Sequence, residues 1–277
     1  MSMKKIILLS LVLVSCTYYG QLTLVANLSN SLKEVSGNEI IANSELIWML
    51  NDSGNKPELF GVNQLGKIEK VVAVNAKNHD WEDLTSDDEG NLYIGDFGNN
   101  AGKRKKLHIL KITNQDVLQK KEVEVEKITF SYPKIKGKKK KDSYDAEGFF
   151  YFEGYFYVFT KSRKKKNLGK TLLFKVPNAK GEHIASFVSK HTFNNSRITA
   201  ADISKDKKKV VLLSHKSVFV ITKFKSDDFF LGKLKEQPLK HTSQKEGICF
   251  KDDKTVFITD EYSMYTKGNL YAFSIKE

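Results

Sequence analysis

The sequence predicts an all-β fold, a β-propeller of five blades, from three observations. First, a two-strand phrase recurs along the chain: an acidic residue opens an apolar strand, and the following strand ends on a polar residue. Second, helical periodicity is nearly absent and the short apolar runs are rich in Val, Ile, Phe and Tyr, which favours strands. Third, an alternating segment at 22–28 has no earlier partner and would complete a last blade of three strands.

Three copies of the phrase are clear and share one length. From the acidic residue to the end of the second strand they span 14 positions each: Glu82 to Asp96, Glu147 to Lys161, and Glu246 to Asp260. A weaker copy runs from Ala201 to His215, and a first copy from Glu34 to Asp52 has four extra residues. Five copies predict five blades. Six blades is the alternative, because the gap between the second and third copies is long. The second unit predicts strands at 83–86, 91–96, 107–113 and 122–131.

Composition allows one large domain with a sizeable core. The chain has 277 residues, of which 40% are hydrophobic and 29% charged, so wholesale disorder is disfavoured. The formal net charge of +13 favours anionic partners, although it also serves solubility. The lysine-rich runs lack the interleaved aromatic residues of single-strand binders, so nucleic acid is disfavoured as a partner.

Residues 1–20 predict an export signal ahead of a single propeller domain at 21–277. Lys4 and Lys5 precede an apolar run at 6–14 that is too short to span a bilayer. Either Cys16 becomes a lipidated first residue, or cleavage occurs near Gly20. We therefore expect a monomer in the periplasm, on the outer membrane through a lipid on Cys16, or outside the cell. Cys249 is the other cysteine, so no internal disulfide framework is available.

Propeller topology places the repeated polar residues at one face. The start of the first strand and the end of the second strand of each blade meet there, beside the central channel. We expect an inner ring of five residues: Glu34, Glu82, Glu147, Asp202 and Glu246. We expect a second ring just outside it: Asp52, Asp96, Lys161, His215 and Asp260. Four further carboxylates belong nearby: Asp80, Asp83, Asp145 and Glu261.

So many carboxylates repel one another unless their charge is neutralised. Raised pKa values, the internal cations Lys161 and Lys245, or a bound hard cation would each do this. Oxygen ligands from several loops suit Ca²⁺ better than Mg²⁺, and the lack of a Cys/His cluster argues against zinc. The candidate metal ligands are Glu34, Glu82, Asp96, Glu147, Glu246 and Asp260. The candidate ligand-binding residues are Lys161, His215, Asp202 and Asp145.

A purely structural interpretation stands beside this one. Repeated carboxylates in propeller blades also bind backbone N–H groups of a neighbouring blade and simply join the blades. Basic runs at 103–106, 138–141 and 163–166 are expected on the same face, and the run at 207–209 on the opposite face. They predict either a basic rim around an acidic centre or ordinary solvated lysine loops.

Four phrases carry a resemblance to known proteins: Asp80–Leu84, Leu92–Asn100, Asp145–Gly148 and Glu246–Ile248. They resemble a family of exported bacterial propellers, and are similar to the SdiA-regulated and esterase/phytase-like propellers with their repeated Glu-Gly-hydrophobic openings. The resemblance covers nearly the whole mature chain and implies a propeller fold. More distant gluconolactonase-like propellers hold a divalent cation at the channel mouth with Glu, Asn and Asp, which implies a similar role for the acidic residues here.

Two function hypotheses follow from these residues. The first is a binding propeller of the cell envelope that recognises an acidic small molecule, a glycan or an envelope protein. The second is a Ca²⁺-dependent hydrolase of a phosphoester or lactone, in which a mouth carboxylate or His215 acts as base. No histidine pairs by sequence with a serine in a nucleophile motif, so a Ser triad has no support.

Overall fold

A computed structural model describes residues 22–133, 145–163, 165–264 and 267–276. The described chain forms five sheets of four or five strands. The first strands of successive blades contact one another in a closed cycle, so the sheets surround one axis. The protein is therefore a five-bladed β-propeller, as the repeated phrase predicts. The described residues form no sixth blade.

The strands follow in chain order, and most blades take four consecutive ones. An initial strand, β1, spans Leu22–Asn27. Blade 1 contains β2 (Val35–Glu39), β3 (Ile47–Asn51), β4 (Glu58–Val62) and β5 (Ile68–Val74). Blade 2 contains β6 (Trp81–Ser86), β7 (Leu92–Asp96) and β8 (Leu107–Ile112), then after helix α1 (Asn114–Gln119) and β9 (Glu122–Val123) its fourth strand β10 (Glu126–Ser131).

The remaining blades repeat the pattern. Blade 3 contains β11 (Asp145–Phe152), β12 (Tyr155–Lys161), β13 (Lys170–Pro177) and, after β14 (Gly181–Ile184), β15 (Ser186–Thr192). Blade 4 contains β16 (Ala200–Ile203), β17 (Lys209–Leu213), β18 (Ser217–Thr222) and β19 (Lys233–Pro238). Blade 5 contains β20 (Lys245–Asp252), β21 (Thr255–Asp260) and β22 (Asn269–Ser274). Short 3₁₀ turns lie at Asn30–Leu32, Lys165–Asn167 and Phe229–Leu231.

The N-terminal strand closes the ring, as the sequence predicts. β1 pairs antiparallel with β22, so that Leu22 lies opposite Phe273 and Asn27 opposite Asn269. The first segment of the chain thus supplies the fourth strand of the last blade and covers an edge that would otherwise present unpaired backbone groups. Among the described residues, no helix is long and apolar enough to cross a membrane.

Two strands depart from the expected four-strand pattern. The predicted strand at 122–131 is wrong in its first part, because β9 pairs parallel with β5 and extends blade 1 while β10 stays in blade 2. The short helix α1, capped by Thr113 whose hydroxyl accepts the Asp116 N–H, lies between β8 and β9 and was not predicted. Likewise β14, from the third blade's last hairpin, pairs parallel with β10 and extends blade 2.

Large buried side chains fill the spaces between blades. Trp48 and Trp81 share one apolar cluster between blades 1 and 2. Phe97 packs edge to face on Phe149, with ring centroids 5.0 Å apart, between blades 2 and 3. Each such ring buried from water stabilises the fold by roughly 2–3 kcal/mol. Alternating residues of the strands therefore hold neighbouring blades together, and the loops at the two faces are left to carry polar chemistry.

The motif glutamates have a structural cause in the first strands of blades 2, 3 and 5. The ladders between first and second strands skip Glu82, Glu147 and Glu246, so each residue is an extra one in its strand. A bulge of this kind re-aims a side chain. The following glycine permits close approach of the next blade: a Cβ on Gly148 would lie 2.6 Å from the Ala200 carbonyl carbon.

Candidate functional site

Three motif glutamates lie at the mouth of the channel where these bulges end. Glu82 belongs to two acidic groups whose candidate ligand atoms all lie within 4.8 Å of one another. The first group, here called the open triad, is Asp52, Asp80 and Glu82. The second, here called the paired triad, is Glu82, Asp145 and Glu147. The structure thus brings together the carboxylates of blades 1, 2 and 3 around Glu82.

The open triad carries no protein cation. Asp52 and Asp80 are half-buried and Glu82 is buried. Within the described chain, no Lys, Arg or His side chain lies at ion-pair distance from any of the three. Burial first, and then its carboxylate neighbours, raise the pKa of Glu82 well above its usual range. Burial also raises the pKa of Asp52 to about 6 and that of Asp80 above its ordinary value.

The paired triad, in contrast, is neutralised within blade 3. The Lys161 ammonium lies 2.7 Å from Glu147 Oε2. Arg163 donates to Asp145 through Nε and to Glu147 Oε1 through Nη2 at 3.0 Å. Burial lowers the pKa of Lys161, but attraction to Glu147 and Glu246 outweighs it and the net pKa is raised. These two cations stay charged and hold Asp145 and Glu147 in place.

Two predicted metal ligands of the outer ring do not join either triad. Asp96 Oδ1 accepts a hydrogen bond from Arg104 Nη2 at 2.9 Å, and Asp96 Oδ2 lies 3.0 Å from His79 Nδ1. Asp260 accepts from the backbone and side chain of Asn269 and from the Tyr271 hydroxyl. Protein groups thus occupy the oxygens of both carboxylates, from loop residues in the case of Asp96 and from β22 in the case of Asp260.

Two further predicted ligands lie at the margin of the mouth. Glu34 accepts the Asn55 amide at 2.5 Å and is half-buried; the bulge position of its blade is Ser36, two residues later. Glu246 lies 3.2 Å from His215 Nε2 and 4.0 Å from Lys161 Nζ. Glu34 is therefore not the counterpart of Glu82, since the first copy of the phrase is out of register with the others.

The expected place of Asp202 at this mouth is wrong. Asp202 pairs with Val211 in the middle of β17, and its carboxylate accepts the N–H groups of Ile203 and Phe250. Together with Glu39 it lines a cavity of about 530 Å³ at the opposite face. Asp202 is the last residue but one of β16 and lies next to the β16–β17 turn, whereas the mouth lies at the start of the first strands.

Asp83 fills the middle of the channel and joins blades. It is fully buried and accepts the backbone N–H groups of Leu84, Phe149 and Ala201 in three different blades. The structural interpretation of repeated acidic residues thus holds for Asp83 and Asp202, whereas the motif glutamates Glu82 and Glu147 accept no described backbone N–H. The adjacent motif residues Glu82 and Asp83 thus have different roles: Glu82 lies at the mouth, and Asp83 joins the blades.

Lys245 does not neutralise the mouth, contrary to the sequence interpretation. Its ammonium donates to Ser243 Oγ at 2.6 Å and to His241 Nδ1 at 2.9 Å, and it contacts no carboxylate of the described chain. Burial lowers the pKa of Lys245 to about 8. Lys245 precedes the bulge, so its side chain points to the other side of the strand from Glu246.

A cationic cleft lies next to the paired triad. Its cavity of about 310 Å³ is shared by blades 3, 4 and 5 and includes Lys161, Arg163, Arg197, His215 and Lys216. Two of these, Lys161 and Arg163, are the partners of Glu147, so the cleft and the open triad are joined through Glu147 and Glu82. The predicted rim run at 138–141 lies outside the described residues. In the run at 207–209, Lys207 lines the opposite cavity, as predicted.

Sequence reasoning missed four contributors to this site. Asp52 and Asp80 were placed nearby but not among the ligands, because they follow or precede strands rather than open them. Gly98 was missed altogether; a Cβ there would overlap the carboxylates of Glu82 and Asp80. Arg197 stands outside any basic run. Its signal in the sequence is only its position just before the weak fourth copy of the phrase.

Comparison with known proteins adds support for the fold. No protein-family model matches the chain, and no curated protein matches it. A solved gluconolactonase from Xanthomonas campestris is similar over 93% of this chain and 90% of its own, with a TM-score of 0.52 and 9% identity. A virginiamycin B lyase from Staphylococcus aureus is similar over 90% of this chain and 69% of its own, with a TM-score of 0.45 and 14% identity. At these identities the likeness shows a propeller fold and nothing finer.

Proposed function

We propose that this protein is a divalent-cation-dependent binding propeller, with Ca²⁺ held by Asp52, Asp80 and Glu82 at the channel mouth. One observation carries the proposal: among the described residues these three carboxylates have no cation at ion-pair distance, while neighbouring Asp96, Asp145 and Glu147 are each paired. A close group of unpaired acids is costly unless a cation joins it. Carboxylate oxygens from two blades form the hard, flexible ligand set that Ca²⁺ prefers over Mg²⁺.

In this proposal the cation completes a binding surface at the mouth. A bound Ca²⁺ accepts further oxygen ligands beyond those of the protein, so it would hold hydroxyl, carboxylate or phosphoryl oxygens of a ligand. The exported location predicted by residues 1–20 makes an envelope ligand or partner the natural setting, with a lipid on Cys16 as the membrane link. Mass spectrometry of the mature protein tests that part separately.

A thermal-unfolding titration tests the cation site. Ca²⁺ should raise the melting temperature of the wild-type protein, by a stabilisation of about 2.7 kcal/mol at 100 times the dissociation constant. Mg²⁺ should do less. Asp80→Asn should abolish the response, whereas Glu126→Gln, which removes the same charge at an exposed position, should keep it. An Asp80→Asn protein that responds to Ca²⁺ as strongly as wild type would refute this site.

One observation favours a hydrolase as the second candidate. Glu82 is buried with a raised pKa and belongs to both triads, and carboxyl groups with perturbed pKa values recur at catalytic sites. A metal-dependent hydrolase of a phosphoester or lactone would use it or His215 as general base. A broad phosphatase and lactonase screen with and without Ca²⁺ decides between turnover and binding alone.

A further inference from the structure

The cationic cleft beside the mouth has more positive charge than its own carboxylates balance. Lys161 and Arg163 are matched by Glu147 and Asp145. His215 faces Glu246 at 3.2 Å. The two remaining cations of the cleft are Arg197 and Lys216. Neither of them pairs with a carboxylate among the described residues. Among the described residues, the cleft therefore presents two cations without a carboxylate partner in one recess.

Arg197 is placed as a ligand-binding group rather than a solvated one. Its side chain is half-buried, and its Nε is buried without a hydrogen-bond partner. A buried donor without an acceptor destabilises the protein by about 1–3 kcal/mol, so such a group calls for an acceptor that the chain does not supply. A guanidinium presents a planar fork of donors that matches a tetrahedral or carboxylate oxyanion.

The surroundings of Arg197 suit a small oxyanion. Lys216 supplies a mobile ammonium from the turn after β17, and Ser196 and Asn195 lie at the same wall. The cavity of about 310 Å³ is a recess of the size that small-molecule sites have, not a flat surface. The walls offer donors from two blades.

We propose that this cleft binds the phosphate group of a phosphate monoester, with Arg197 and Lys216 as its principal partners. A phosphate monoester carries about −1.5 to −2 charges at neutral pH, so it can pair with both Arg197 and Lys216; a sulfate ester or carboxylate carries only one. Lys161 and Arg163 face the same cavity but remain paired with Glu147 and Asp145. They therefore make the electrostatic potential of the cavity more positive and do not bind the phosphate directly. The site goes beyond the cation site and does not depend on it.

Calorimetric titration with phenyl phosphate, phenyl sulfate and benzoate tests the proposal, all in EDTA so that no Ca²⁺ contributes. Phenyl phosphate should bind, and more tightly than the two monoanions. Arg197→Gln and Lys216→Gln should each weaken it about 10-fold or more, the usual worth of a charge-assisted hydrogen bond. Arg197→Lys, which keeps the charge and loses the fork, should weaken it less than Arg197→Gln.

Two exposed lysines on the outer strands of blades 3 and 4 provide matched controls. The Lys190→Gln and Lys233→Gln variants should bind phenyl phosphate as tightly as the wild-type protein does. Melting curves of every variant establish that it is folded. The proposal is overturned if phenyl phosphate does not bind wild type, if the three probes bind equally, or if the Arg197 and Lys216 variants bind as well as the controls. If the wild-type protein binds phenyl phosphate but not Ca²⁺, only the proposed cation site is refuted.

Discussion

Glu82 and Glu147 occupy the same position of a repeated motif, yet their electrostatic surroundings are opposite. Glu82 has no cation at ion-pair distance among the described residues, whereas Glu147 pairs with Lys161 and Arg163. Without Ca²⁺, Glu82→Gln should stabilise the protein slightly, because it replaces a buried carboxyl group beside other carboxylates with a neutral amide. Glu147→Gln should destabilise it by about 3 kcal/mol, because the buried Lys161 would lose its close partner and keep only Glu246, at 4.0 Å.

Chemical unfolding of both variants in EDTA provides the measurement. The opposite signs are the informative part, since a common destabilisation of similar size would mean that Glu82 is structural. Lys161→Met combined with Glu147→Gln is the control for the pair: removing both charges should recover part of the lost stability.

The open triad should also make stability depend on pH. The pKa of Asp52 rises from 3.8 to about 6, and that of the nearby Glu261 from 4.5 to about 8, chiefly through burial. A folded-state pKa above the unfolded one gives stability that is complete below the unfolded value and is lost as pH rises through the folded value. The Ca²⁺-free protein should therefore lose stability between pH 5 and pH 8, on the order of 2 kcal/mol given the partial exposure of both groups.

Urea midpoints at several pH values, with and without Ca²⁺, measure this slope. Saturating Ca²⁺ should flatten it, because the cation favours the ionised carboxylates. A Ca²⁺-free protein that gains stability from pH 5 to pH 8 would contradict the picture of repelling, desolvated acids.

At the scale of single residues, the sequence located the mouth but not the pairing within it. The repeat spacing identified Glu82, Glu147 and Lys161 because each occupies a fixed step of a strand. It could not show that Arg163 reaches Asp145, nor that Asp80 reaches Glu82, since both lie in loops whose path is set by tertiary contacts. Asp202 was misplaced because the weak fourth copy does not show where its strand begins, and the structure puts Asp202 near the end of β16.

Among the elements, the first strands are tied together by one carboxylate. Asp83 accepts three backbone N–H groups from the strands β6, β11 and β16. Asp83→Ala should destabilise the protein by about 3 kcal/mol or more, since each buried N–H left without an acceptor costs about 1–3 kcal/mol. Ca²⁺ should still bind the folded fraction.

Thermal and urea unfolding of Asp83→Ala check this expectation against the exposed Glu126→Gln variant. A loss below about 1 kcal/mol, typical of surface substitutions, would show that water replaces these hydrogen bonds and that Asp83 does not join the blades.

Prediction of elements from the sequence worked where the phrase is regular and failed between phrases. The two inner strands of every blade follow from alternating apolar residues. The extra strands β9 and β14 were missed because they pair in parallel with a neighbouring blade's outer strand, a choice fixed by the path of the connection rather than by local pattern. Helix α1, at Asn114–Gln119, is too short for a clear helical period.

For the whole molecule, the ring closes through a strand from the opposite end of the chain. A chain that begins at Leu28 lacks β1 and exposes the edge of β22, which would be free to pair with another copy. We expect it to melt well below a chain that begins at Gln21 and to self-associate as concentration rises. Calorimetry and sedimentation velocity measure both effects; equal melting and a monomeric state would show that β1 is dispensable.

The number of blades and this closure were predictable because each blade repeats the same pattern of strands in the sequence. The asymmetry of the mouth was not, because function there depends on which blade departs from the repeat. Blade 3 supplies Lys161 and Arg163 where blade 2 has Asp96 and Gly98, and that difference makes one triad paired and the other open.

Anomalous diffraction from crystals grown with Ca²⁺ tests the central claim most directly. A single peak should lie between the carboxylates of Asp52, Asp80 and Glu82, and it should vanish in Gly98→Ala crystals, where the added methyl group would displace both Asp80 and Glu82. A mouth without a peak at saturating Ca²⁺, or a peak only at the opposite face beside Glu39 and Asp202, would contradict it.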